Sequence, residues 1–236
     1  MKRLFFLILC YLLVTSCLVA FAESYVPSPT LEGKFPIQNP YQVLVNKEHK
    51  LPDNWLDYIK LVETQNSLGE TFLVEDVTLQ HFEALRTYLL ENEGIQIELD
   101  STYRSPEEQQ EIWDEWSADP EKGPDYCAQY LSPVGYSEHH TGLAIDIFII
   151  KPDGTHEREN DEMIADRETF AKIHEKLAQF GFILRFPEGK EAITGYNYEP
   201  WHFRFVGEDA AKAIFEQKLT LEEYLEQHPE LQPQKE

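Results

Sequence analysis

The amino-acid sequence predicts an α+β fold, a small central antiparallel sheet with flanking helices. Strand-like and helix-like segments follow one another without the regular βαβ rhythm of a parallel sheet. Several strand candidates are short and alternate apolar with polar residues, as a sheet with one covered face requires. The chain has 236 residues, 42% hydrophobic and 13% aromatic, enough for one real core and no internal repeat.

Lys2 and Arg3 precede an apolar run from Leu4 to Ala20, and Ala20-Phe21-Ala22 is a small-x-small cleavage site. Residues 1–22 are therefore expected to be a signal peptide. Export follows, with the protein extracellular, periplasmic or cell-wall associated. Two alternatives stand beside it: an uncleaved anchor, since the run nears spanning length, and a lipoprotein signal at "VTSC", ending on Cys17. Membrane association is expected only through such a segment. Residues 23–41, rich in proline, read as an extended leader, and residues 42–230 as the folded domain with C-terminal helices.

Within the domain, "QVLVN" is a short strand candidate. "VTLQHFEALRTYLLENEG" places Val77, Phe82, Leu85, Leu89 and Leu90 at mostly helical spacing and stops at Gly94. "IQIELDSTY" alternates like a strand. "SPEEQQEIWDEWSA" opens a helix with Ser105, Pro106 at the first helical position and Glu108 three residues after the serine. "LAIDIFII" is a strand turned by "KPDG", and "HEREND" reads as a solvated acidic loop. An amphipathic helix, "DRETFAKIHEKLAQFG", ends at Gly181. "FILRF" and "WHFRFV" are strands, and "DAAKAIFEQKLTLEEYLEQH" is helical.

A net charge of −23 excludes holding nucleic acid phosphates by charge. It also means that an anionic substrate needs a local cation. Of three cysteines, Cys10 and Cys17 fall in the signal, leaving Cys127. Neither an internal disulfide nor a cysteine zinc site is then possible in the mature chain, so any metal must use His, Asp or Glu.

Eight histidines are present, and five sit in polar, proline-flanked or helical stretches that need no special role. His139, His140 and His202 remain. Asp146 lies inside "AIDIFII", where an ionised carboxylate needs a metal, an arginine or an open sheet end. In a strand from Trp201, residues 201, 203 and 205 form a core face, while His202 and Arg204 face the other way, suggesting a site floor. Pro200 can start that strand and leave Glu199 on a turn, within reach of a metal-bound water. Residue types alone do not decide between His139 and His140.

Four blocks together resemble the VanY-type zinc D-alanyl-D-alanine carboxypeptidases, with VanX dipeptidases and LdcB-type L,D-carboxypeptidases as relatives. Ser137-x-His139-x-x-Gly142-x-Ala144-x-Asp146 and Glu199-x-Trp201-His202 match the family patterns, as do "YRSPEEQ" and "GFILRFPEGKEAITGYNYEPWHFRFVG". The resemblance spans about residues 42–207. It implies a hedgehog/DD-peptidase-like zinc domain acting on peptidoglycan stem peptides and releasing terminal D-alanine; separately, a monomer is expected. By resemblance, His139, Asp146 and His202 bind Zn²⁺, Glu199 is the general base, and Arg104 polarises or clamps the substrate. Ser137, Gln109 and Tyr103 are implied substrate contacts. His140, Thr102, Phe186 and Phe205 depart from common family residues, and none is a ligand or the base. D,D and L,D specificity both stay open, with D,D favoured. A non-catalytic zinc-stabilised wall-binding domain and an endopeptidase are the alternatives.

Overall fold

Strands β1 (Leu61–Gln65) and β2 (Thr71–Glu75) form an antiparallel hairpin ahead of the main sheet. Asn66 shapes its turn, with Oδ1 accepting from the Leu68 and Glu70 amides. The computed structural model describes residues 39–120 and 123–231, all within one unit, Gly33–Glu236. The expected signal peptide and most of the expected leader lie outside the described residues.

Helix α1 (Asp76–Tyr88) follows β2 directly, capped by the Glu75 carboxylate on the Thr78 amide. It buries Phe82 and Leu85, continues as a wider turn over Leu89–Glu93, and stops at Gly94 with φ 67°. The chain then enters β3 (Gln96–Ser101). Helix α2 (Pro106–Ala118) starts with the reciprocal Ser105–Glu108 capping box read from sequence. A further helix, α3 (Gly123–Tyr130), packs against it.

The main sheet is wholly antiparallel: β3 pairs with β4 (Ala144–Ile150), β4 with β7 (His202–Phe205) and with β5 (His156–Glu157), and β7 with β6 (Phe182–Leu184). Its centre is β4, flanked by β3 and β7. Strand β5 and helix α4 (Asn160–Ala165) replace the expected acidic loop. Glu157 is buried against Lys151, and Arg158 pairs with Asp100 and Glu70, so these charges are structural. Helix α5 (Arg167–Leu177) buries Phe170, Ile173 and Leu177, and β6 (Phe182–Leu184) completes the sheet beyond β7. A one-turn helix, α6 (Glu191–Thr194), bridges β6 and β7.

The predicted C-terminal helix is two helices. Lys218, with φ 56°, breaks α7 (Glu208–Gln217), and Thr220 caps α8 (Leu221–Gln227). Their apolar faces close over Ile183 and Val206 in one buried cluster. The segment "QVLVN" is not a strand. Asn39 and Pro40 start a tight turn over Pro40–Gln42, and the Tyr41 and Val43 carbonyls accept from Arg204 instead of a neighbouring strand.

Candidate active site

His139 is placed by a short helical turn over Glu138–Thr141, opened by Ser137 and closed by Gly142. Gly142 has φ 71°, and a Cβ there would lie 2.7 Å from Leu61 of β1, so only glycine lets the turn dock on the hairpin. The Trp55 indole donates to the Thr141 carbonyl at 2.9 Å and anchors the same turn. Nδ1 of His139 lies 2.7 Å from the Thr102 carbonyl, which fixes Nδ1 as the protonated nitrogen. Nε2 is left facing Asp146 Oδ2 at 3.1 Å.

Asp146 and His202 are direct cross-strand partners in the β4–β7 register, so both side chains project from the same face. Asp146 Oδ1 stands 2.8 Å from His202 Nδ1. One ligand atom each from His139, Asp146 and His202 lies within 4.8 Å of the others. Glu199 sits on the turn before β7, its amide held by the Phe186 carbonyl and its Oε2 3.7 Å from His202 Nδ1. Asp146 Oδ1 and Glu199 Oε1 are buried yet lack a hydrogen bond of good geometry. Acceptor oxygens and ring nitrogens that converge without hydrogen-bond geometry suit a shared cation. Two histidines and one carboxylate are borderline donors at the right number for a zinc-type site with an open position.

Electrostatics couple the same residues to one another. Burial alone raises the Asp146 carboxyl, but the imidazoles of His139 and His202 hold it well below the usual carboxylate range. Burial opposes protonation of His202, yet the Asp146 charge lifts it to about 10. Burial depresses His139. Glu199 is pushed up to about 8 by burial, partly offset by His202. A carboxyl that titrates near neutral pH can both take up and return a proton.

A cavity of about 270 Å³ opens onto these four residues. Arg104 and Ser137, both expected to meet substrate, line it, and Arg104 places a cation at its wall. The guanidinium is clamped by Gln109 Oε1 at 2.9 Å and Ser101 Oγ at 2.8 Å. Gln109 and Tyr103, the other expected substrate contacts, are not among the lining residues. Gln109 is fully buried and spans from Arg104 to the Ser132 carbonyl, so it orients Arg104. His140 also works behind Arg104: Nδ1 meets the Arg104 carbonyl at 2.7 Å and Nε2 accepts from the Gly135 amide.

Arg204 corrects another expectation. It shares the His202 side of β7 but lies fully buried beneath the site, bonded to Glu138 at 2.7 Å, and contributes nothing to the cavity floor. The lining residues that sequence reasoning missed include Trp116, Tyr130, Ser132, Met163 and Tyr196. They come from α2, α3, α4 and connecting loops, and only the tertiary fold gathers them.

The model of a family described as VanY, D-alanyl-D-alanine carboxypeptidase, matches residues 72–208. The bifunctional D-Ala-D-Ala dipeptidase and carboxypeptidase VanXYC of Enterococcus gallinarum is 38% identical over 185 residues, 77% of this chain and 91% of that protein. Among solved structures, a VanY D,D-pentapeptidase variant from a VanB-type resistance cassette, in complex with Zn(II), superposes with TM-score 0.64 at 32% identity. That match covers 79% of this chain and 99% of the other. The LdcB LD-carboxypeptidase gives TM-score 0.66 at 34% identity, covering 80% and 88%. With its His-Asp-His cluster on an antiparallel sheet and a family match over more than half its length, the chain belongs to the VanY family of D-alanyl-D-alanine carboxypeptidases.

Proposed function

We propose that this protein is an exported zinc carboxypeptidase that removes the terminal D-alanine from peptidoglycan stem peptides. In this reading His139, Asp146 and His202 hold Zn²⁺, Glu199 is the general base and Arg104 binds the substrate. The observation that carries it is Glu199, a buried carboxyl beside the three donors and with no structural partner of its own for Oε1. A purely structural metal site closes all its positions with ligands and needs no such group.

Bound Zn²⁺ supplies Lewis acidity and acidifies water at neutral pH. Glu199 takes a proton from the attacking water, whose oxygen bonds to the carbonyl carbon of the scissile amide. The same carboxyl then delivers that proton to the departing amine nitrogen as the C–N bond breaks. Arg104, held rigid by Gln109 and Ser101, presents a charged donor to the substrate, at the developing oxyanion or at the terminal carboxylate.

D,D cleavage of the pentapeptide is the favoured specificity. L,D cleavage of the tetrapeptide is the second reading, favoured by the likeness to the LdcB LD-carboxypeptidase at TM-score 0.66. Incubating the zinc-loaded protein with each peptide and weighing the products separates them. Loss of one alanine from the pentapeptide alone supports D,D activity, and loss from the tetrapeptide alone supports L,D. No alanine from either sinks the carboxypeptidase reading. Export rests on Lys2, Arg3 and the apolar run to Ala20, and N-terminal sequencing of the secreted protein from Glu23 is the result that supports it.

A further inference from the structure

Behind His202 lies a buried ionic layer that the proposed chemistry does not use; only its Glu138 reaches the cavity wall, while Arg185, Arg204 and Glu222 do not line the cavity. Arg185 and Arg204 are both 0% exposed. Each donates to the same oxygen, Glu138 Oε1, at 2.7 Å. Arg185 also forms a two-point pair with Glu222 of α8, at 2.6 and 2.9 Å, and Asn46 donates to Glu222 as well. Arg204 finishes its fan of donors on the Tyr41 and Val43 carbonyls. Two arginines therefore face two carboxylates, and the cluster is neutral.

Glu138 has one oxygen to spare. Its Oε2 lies 3.5 Å from His202 Nε2, and both atoms are buried with no hydrogen bond of good geometry. Two guanidinium groups donating to Oε1 pair with Glu138 as a carboxylate. A permanently charged acceptor thus faces the ring nitrogen opposite Nδ1, the atom turned toward Asp146 and Glu199.

We propose that Glu138 is the positioning residue of His202. Its carboxylate accepts Nε2–H, which keeps the proton off Nδ1 and leaves that nitrogen free to ligate. Resting on the reading of His202 as a zinc ligand, the inference adds what sets the tautomer and angle of the ring. Carboxylates behind ligating histidines raise ligand basicity and fix orientation. Much of the scaffold that fixes Glu138 lies outside residues 72–208: Tyr41, Val43 and Asn46 precede the family match and Glu222 follows it. The segments at either side of the matched region therefore contribute to metal affinity without touching the cavity.

The test compares zinc affinity, by chelator competition, in wild type, Glu138→Gln and Glu98→Gln. Glu98 is a buried carboxylate on β3, paired with Arg86 and remote from the site. Glu138→Gln is expected to weaken zinc binding 10–100-fold. Glu98→Gln is expected to lower thermal stability and leave zinc affinity unchanged. Equal affinity in wild type and Glu138→Gln overturns the proposal, whereas a wild type that binds no zinc overturns the metal reading itself. Should Glu138→Gln not fold, histidine-ring nitrogen-15 spectra of the zinc-loaded wild type decide. A protonated, exchange-protected Nε2 on His202 supports the proposal, and an unprotonated Nε2 contradicts it.

Discussion

His139 and His140 are neighbours in sequence with different surroundings, and the difference sets their roles. His139 turns Nε2 toward Asp146, while both His140 nitrogens are taken by backbone groups of the Arg104 and Gly135 segments. We expect His139→Ala to lose zinc. His140→Ala is expected to keep most of the metal and lower turnover about tenfold, because Arg104 loses a tether and small misplacements are costly. Elemental analysis with steady-state kinetics checks both. Arg104→Ala is expected to lower kcat/KM about 10²–10³-fold with zinc content unchanged. At this scale Asp146 was legible because an acid among isoleucines demands a partner. Glu138 was not, since an acid in a polar stretch looks solvated until Arg185 and Arg204 fold over it. The ligand choice between the two histidines needed a family pattern, because neither spacing nor composition separates adjacent residues.

Helices with caps were legible as elements. Ser105 forms the predicted box with Glu108, and Ser105→Ala is expected to cost about 1 kcal/mol in thermal or urea unfolding, since it removes the acceptor of an N-terminal amide. The hairpin β1–β2 was overlooked, although "LVETQ" and "TFLVE" carry β-branched residues around an Asn-Ser-Leu-Gly turn. "QVLVN" misled because its strand-like composition is used for burial of Val43 and Val45, while its Val43 carbonyl serves Arg204. Helix α5 carries a link that sequence did not reveal: His174 Nε2–H donates to the Pro200 carbonyl at 2.8 Å, bracing the turn that bears Glu199. Burial lowers His174 to about 4. The unfolded chain, with an ordinary histidine near 6.5, therefore binds more protons between those values. Stability from neutral His174 is complete above about pH 6.5 and falls as pH drops toward 4, by at most about 3 kcal/mol. Urea midpoints at fixed saturating zinc should show this loss in wild type, and His174→Gln should be less stable at pH 7 with a flatter profile across that window.

Across the whole molecule, mixed short strands and capped helices were enough to predict an antiparallel α+β fold. The candidate site was easy to locate because all four residues fall in two short motifs on adjacent strands and their preceding turns. The walls of the cavity were not, because Trp116, Tyr130, Met163 and Tyr196 meet only through tertiary packing. A net charge of −23 surrounds a cavity whose lining contains a single arginine, which suits capture of one carboxylate and rejection of more anionic ligands. The account stands or falls on Glu199 acting as base beside an intact metal site. Zinc content and D-alanine release from the stem pentapeptide and tetrapeptide, measured together on wild type and Glu199→Gln, test this most directly. The account predicts equal zinc in both proteins, alanine release by wild type, and at least a 10²-fold lower rate in the variant. Wild-type rates in Glu199→Gln with full zinc occupancy contradict it.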